Sequence, residues 1–208
     1  MEIKVYVEGP ISANNYLVID EKSNEAILID CSSSRNEFIN AIKKLGVNLK
    51  YIFLTHGHFD HILGVDKFKE IFGSEIYMNN KDIEQVELTP YYLENFMGMK
   101  AVEIKTSLNN IEDNQVFKFG DIEIKAISTP GHTQGGMSYL IENNLFSGDT
   151  LFKGSVGRCD LKGGDFKQIV SSIKDKLFNL PDETVVYSGH GLKSTLSYEK
   201  KYNEILNV

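Results

Sequence analysis

Residues 51–61 read YIFLTHGHFDH: an apolar run of strand length, then three histidines and an aspartate within seven positions. The run predicts a strand whose carboxyl end delivers metal-ligand side chains. Three later segments repeat the arrangement: IKAIST leads into Pro130-Gly131-His132, LFS into Gly148-Asp149, and VVYS into Gly189-His190. In sheets covered by helices, that edge is where sites are built, because rigid strands fix the loops that follow. All five histidines of the chain, His56, His58, His61, His132 and His190, lie in these segments.

Such a cluster suits transition metals. Neutral imidazole binds zinc, iron or manganese, and carboxylates add charge and can bridge two ions. Two metals need about seven protein ligands once water fills the remaining positions. His56, His58, Asp60, His61, His132, Asp149 and His190 form a set of that size. A lone histidine is more often a satisfied core or surface residue, and Asp60 alone could cap the helix that follows; recurrence at four strand ends favours the metal centre. Because imidazole must be neutral to bind a metal, affinity is expected to fall below about pH 6.

Around these motifs the chain alternates strands and helices. Strands are expected at 3–7, 15–20 and 26–30. A helix then follows Ser34, which with Glu37 makes a capping-box pattern, and Gly46 closes it. Val65, Phe68 and Phe72 before Gly73 mark a second helix. From 80 to 112 the pattern is loose, with Tyr91, Tyr92, Phe96, Met97 and Met99 suiting either a flap over the metals or ordinary helix packing. Strands return at 116–119, 122–129 and 137–141, and Asn143-Asn144 forms a turn into LFSGD. A helix begins near Asp165, a last strand lies at 185–188 and a last helix at 194–206. Several strands are apolar on both faces, so the class is α/β, with sheets covered by helices.

Bulk properties narrow the function. No linker or long-period repeat divides the 208 residues, and a single domain over 1–208 is expected. No apolar run approaches a bilayer span and no secretory signal is visible, so the expectation is a cytoplasmic protein away from membranes. Two cysteines, Cys31 and Cys159, are too few for a disulfide framework. A net charge of −7, without a basic tail or face, argues against nucleic acid as a partner and leaves a small-molecule substrate.

The motifs resemble those of a known family. THGHFDH is similar to the H-x-H-x-D-H signature of the metallo-β-lactamase superfamily, and STPGHTQGG, LFSGDTLF and SGHG resemble its later metal motifs in the same order. The resemblance implies a four-layer αβ/βα sandwich with the metals at one edge of its two sheets. Within the superfamily, GDTLFKGSVGRCDLKGGD and SGHGLKSTLSYEKKYNEIL look like segments of glyoxalase II-like hydrolases. Two departures stand in the second segment, Ser188 for a proline and Glu204 for another, and neither is expected to touch a ligand. Full-length hydroxyacylglutathione hydrolases continue into a helical domain that helps hold glutathione. This chain stops at Val208, so no such C-terminal domain is expected.

By that resemblance, His56, His58 and His132 hold one divalent metal and Asp60, His61 and His190 the other, with zinc first and iron or manganese as alternatives. Asp149 and a hydroxide bridge them, and Asp60 and Asp149 are the catalytic carboxylates. The hydroxide attacks a thioester carbonyl and the thiolate leaves. Two divalent ions less two aspartates and a hydroxide leave a site of about +1, which favours an anionic substrate. Arg158 resembles a basic substrate-contacting residue of the glyoxalase II-like pattern, or else pairs with Asp160. Cys159 is expected to pack rather than to ligate.

Two alternatives keep the fold. Persulfide dioxygenases share these motifs but bind a single iron through two histidines and the bridging aspartate. Other superfamily hydrolases cleave lactones, β-lactams or phosphoesters. Retention of the second-metal residues leans toward hydrolysis of esters or thioesters.

Overall fold

The computed structural model describes residues 1–206. Its first half runs β1 (Glu2–Glu8), β2 (Ala13–Asp20), β3 (Glu25–Ile29), α1 (Asn36–Lys43), β4 (Asn48–Phe53), α2 (Phe59–Ile62), α3 (Val65–Phe72) and β5 (Glu75–Met78). A 3-10 turn, Asn80–Asp82, leads to α4 (Ile83–Glu87), α5 (Thr89–Asn95) and β6 (Asn109–Asn110). The second half runs β7 (Val116–Phe119), β8 (Ile122–Ser128), β9 (Met137–Ile141), β10 (Asn144–Gly148), β11 (Leu151–Phe152), β12 (Ser155–Val156), α6 (Phe166–Asp175), β13 (Val185–Ser188), β14 (Ser194–Thr195) and α7 (Leu196–Tyr202). Among the described residues no helix is long and apolar enough to cross a membrane.

Two sheets result, ordered β1-β2-β3-β4-β5-β6 and β14-β13-β10-β9-β8-β7, with β11 and β12 a separate short pair. The period of two in a strand sends alternate residues to opposite layers. From β2, Leu17 and Ile19 pack with Phe38, Ile42, Val65 and Phe68 of α1 and α3, while Tyr16 and Val18 pack between the sheets with Phe119, Tyr139 and Phe146. From β10, Phe146 enters that central layer and Leu145 turns outward to Ile169, Ile173 and Leu196 of α6 and α7. Helix, sheet, sheet, helix is therefore the stacking order, the four-layer sandwich expected. Each such side chain, fully buried, contributes roughly 1.5–3 kcal/mol.

Local signals held in some places and failed in others. Asp165 caps α6, its Oδ1 accepting from the Gln168 amide at 3.0 Å, and Gly73 ends α3 at φ +70°. The Ser34–Glu37 capping box does not form. Arg35 is still extended at ψ 140°, so α1 starts one residue later, and the Ser33 hydroxyl accepts from the Arg35 amide instead. Gly46 lies past the end of α1, at φ +65°, its amide bonded to the Lys43 carbonyl. The β9–β10 turn is Glu142-Asn143, one residue earlier than Asn143-Asn144, because Asn144 is already paired with Ile141. Ser194 and Thr195 pair with β13 before α7 starts, and Thr195 caps it; α7 ends at Tyr202. The strands β5, β6, β11, β12 and β14 are additional to those expected, the last four only two residues long.

Candidate metal centre

Strand direction explains why remote segments meet. β3 and β4 are parallel, and β8, β10 and β13 run one way because β9 reverses between β8 and β10 while β10 pairs parallel with β13. Their carboxyl ends share one edge of the sandwich. His56 and His58 follow β4, Asp60 and His61 lie on α2, His132 follows β8, Asp149 follows β10 and His190 follows β13. The structure brings all seven together.

Three sets of ligand-type atoms lie within 4.8 Å of one another: His56, His58 and His132; Asp60, His61 and His190; and His56, His61 and Asp149. Asp149 stands between the first two, with Oδ1 3.4 Å from His61 Nε2, and Oδ2 3.6 Å from His132 Nε2 and 3.7 Å from His190 Nε2. Asp60 Oδ2 is 3.2 Å from both His61 Nε2 and His190 Nε2. Nε2 of His56, His58 and His61 and Oδ1 of Asp149 are buried without a hydrogen-bond partner. Leaving such atoms unpaired costs about 1–3 kcal/mol each. Cations at the cluster would remove that cost, so the residues fit a metal centre.

A second layer aims these atoms. His61 Nδ1 donates to Asp30 Oδ2 at 2.8 Å, and the Thr55 hydroxyl donates to the same oxygen at 2.9 Å. That hydroxyl therefore accepts from His56 Nδ1, 3.0 Å away. One carboxylate thus fixes the tautomers of two histidines, leaving both Nε2 lone pairs pointing into the cluster. His132 Nδ1 donates to the Arg158 carbonyl at 2.8 Å, with the same effect. Asp30 went unnoticed in the sequence, although it too ends an apolar strand, AILID.

Asp82 is a second carboxylate outside the expected set. Fully buried, it accepts from Thr133 Oγ1 (2.7 Å) and the amides of Gly57 (2.9 Å) and Gly135 (2.6 Å). It ties the loop carrying His58 to the loop carrying His132, whose facing ring nitrogens are 2.9 Å apart. Asp82→Asn keeps the shape but turns an amide donor toward one of these donors. Affinity at the His56–His58–His132 group is expected to fall about 10–100-fold, read by chelator competition; unchanged affinity would show the tie to be unnecessary.

The His190 loop has its own clamp. Asn14 Nδ2 donates to the Ser188 and Gly191 carbonyls, and the Asn14 amide to Gly189. Ser188, thought remote from any ligand, bonds the His190 carbonyl through its hydroxyl at 2.7 Å. Gly189 has no room for a side chain, since a Cβ would lie 2.1 Å from Asp149 Oδ1.

Charge divides the two triads. Burial, then the neighbouring imidazoles, holds His56 well below its ordinary value, and burial with His132 lowers His58 to about 3. Burial opposes protonation of His61 too, but the carboxylates of Asp60, Asp30 and Asp149 outweigh it and raise its pKa. In His190 burial is likewise overcome, chiefly by the hydrogen bond to Asp60. Metal affinity and activity are expected to fall together below about pH 6, where imidazole takes up a proton in place of the metal. Metal per chain after stepwise dialysis, measured beside activity, reads this, and full retention of both at about pH 5 contradicts it.

Above the cluster lies a cavity of about 300 Å³, whose lining includes His58, Asp60, His132, Asp149, Tyr92, Phe96, Met97 and Arg158. Arg158 lines the cavity, and of its two expected roles the pairing with Asp160 is the one seen, through two bonds of 2.7 and 2.8 Å. Cys159 packs partly buried against the α6 and α7 layer, and Cys31 is fully buried; neither joins a ligand group.

Comparison with known proteins identifies the family and the fold. A sequence model of the metallo-beta-lactamase superfamily matches residues 9–190. The chain is 32% identical to the hydroxyacylglutathione hydrolase GloC of Haemophilus influenzae, over 100% of this chain and 99% of that one. It is also 32% identical to the probable metallo-hydrolase YqgX of Bacillus subtilis, over 96% and 94%. Among solved structures, the B3 metallo-beta-lactamase BLEG-1 superposes with a TM-score of 0.91 at 32% identity, covering 100% of both chains. TTHA1623 in a di-iron-bound form gives 0.88 at 31%, covering 98% and 100%. ETHE1 from Myxococcus xanthus gives 0.79 at 26%, covering 100% and 85%.

Proposed function

The chain belongs to the metallo-β-lactamase superfamily, and from that premise we propose that it is a hydrolase of thioesters, glyoxalase II-like, working with two divalent metal ions, zinc foremost. One observation carries the proposal: Asp149 lies between two triads of ligand-type side chains, and Nε2 of His56 and His61 and its own Oδ1 are buried there without a hydrogen-bond partner. His56, His58 and His132 would hold one ion and Asp60, His61 and His190 the other, with Asp149 shared. Ions bound there supply a water acidified to near neutral pH and Lewis acidity for a carbonyl oxygen.

The chain's own residues do the rest. Asp60, held ionised by His61 and His190 against the effect of burial, is the carboxylate that orients the attacking water. The water oxygen bonds to the carbonyl carbon, the C–S bond breaks, the thiolate takes up one of the water's two protons and the other passes to solvent, leaving a carboxylate and a thiol. No serine or cysteine nucleophile is needed, which agrees with the buried Cys31 and packed Cys159. Likeness to GloC over the full chain supports the thioester reading.

Likeness to ETHE1 favours a second reading, a mononuclear iron dioxygenase of persulfides. Elemental analysis of protein purified without chelators and with oxygen limited separates the two. About two ions per chain, with hydrolysis of a hydroxyacyl glutathione thioester or of acyl thioesters of N-acetylcysteamine, supports the hydrolase. A single iron, with oxygen uptake on a persulfide, overturns it.

A further inference from the structure

We propose that the group attached to the carbonyl of the substrate is an apolar arm, received by a wall of Ile11, Phe59, Tyr92, Phe96, Met97 and Leu161, with Phe96 setting the preference. The inference rests on the reading of the site as one that acts on a carbonyl, and it names the substrate class.

The cavity has two unlike sides. Its floor is the ligand cluster; apart from Arg158, every other lining residue is one of the six apolar or aromatic ones just named. Arg158 is the one cation of that lining, and its Nε and Nη2 are already paired with the Asp160 carboxylate, which offsets its charge. A glutathione arm, with two carboxylates and an ammonium, would meet rings and aliphatic carbon instead.

The wall is not surplus from the core. α5 anchors itself through Thr89 and Leu93, both buried. Tyr92, on the cavity side, stacks on Phe59 with centroids 6.2 Å apart and meets Phe96 at 5.4 Å. Phe96 remains 64% exposed and Ile11 45% exposed at the mouth of the site. Wet apolar surface beside a reaction centre gains free energy when an apolar ligand covers it. Of the cluster at 91–99, Tyr92 on α5 and Phe96 and Met97 just after it line the cavity.

Calorimetric titration of the zinc-loaded protein with acetate, butanoate, hexanoate, octanoate and glutathione tests the proposal without relying on turnover. Affinity is expected to rise about threefold to fourfold per methylene from acetate to hexanoate, with glutathione binding no better than acetate. Phe96→Ser should lower hexanoate affinity by roughly tenfold and spare acetate, which is too short to reach the ring; Leu161→Asn provides a second variant on the same wall. A flat series, or a slope unchanged in both variants, overturns the proposal. If the series rises but the hexanoyl thioester of N-acetylcysteamine is not cleaved, the apolar arm stands and the hydrolase reading falls. If that thioester is cleaved while the series is flat, the reverse holds.

Discussion

On the proposed two-metal reading, Asp149→Ala is expected to lower hydrolysis by roughly 10³-fold and the metal content from about two ions per chain to about one or fewer. Among the described residues, Asp149 is the carboxylate that faces both triads, with oxygens 3.4 Å from His61, 3.6 Å from His132 and 3.7 Å from His190. Removing it takes a negative charge from between two cations and leaves their mutual repulsion unshielded. Folding should survive, because the side chain lines the cavity rather than the core. Elemental analysis and kcat/KM, with thermal unfolding as control, read the result. Two ions retained per chain would remove Asp149 from the shared position.

The second large effect is expected from Asp30→Asn. Asp30 sits at φ +61°, a left-handed conformation that asparagine tolerates as well as aspartate, so the exchange isolates the hydrogen bonds from backbone strain. The native carboxylate accepts from the Thr55 amide at 2.8 Å, the Thr55 hydroxyl at 2.9 Å and His61 Nδ1 at 2.8 Å, all buried. In asparagine one acceptor becomes a donor and faces another donor. Stability should fall by about 1–3 kcal/mol even after chelation, from the unsatisfied pair. Metal affinity should fall a further 10–100-fold, because His56 and His61 lose the partner that fixes their tautomers. Denaturant unfolding of stripped protein separates the first effect from the second. Unchanged affinity would show that the triads do not depend on Asp30 for their orientation.

Asp30 and Asp82 show where sequence reasoning stopped. Histidines are scarce in this chain and every one lies in a segment following a strand, so the seven-residue cluster was legible without coordinates. Aspartates are common, and nothing local separates a surface Asp from one that ties His58 to His132. Arg158 carries a similar lesson. Its position at the site could be anticipated, but its capture by Asp160, two residues on, was one of two open outcomes until the side chains were placed. Ser34 failed as a cap for a simple reason: the chain stays extended through Arg35, and a capping pattern has force only where the backbone turns.

Strand periodicity and ligand chemistry were properties of the sequence itself. Alternation in β2 and β10 assigned residues to layers, and glycine with histidine or aspartate after four strands marked one edge as the site. Two matters were decided only in three dimensions: which carboxylates orient the histidines, and that the wall above the ligand cluster is apolar. Each depends on groups distant in the chain meeting across the two sheets, where burial and the field of neighbouring charges, rather than residue type, set hydrogen bonding and pKa.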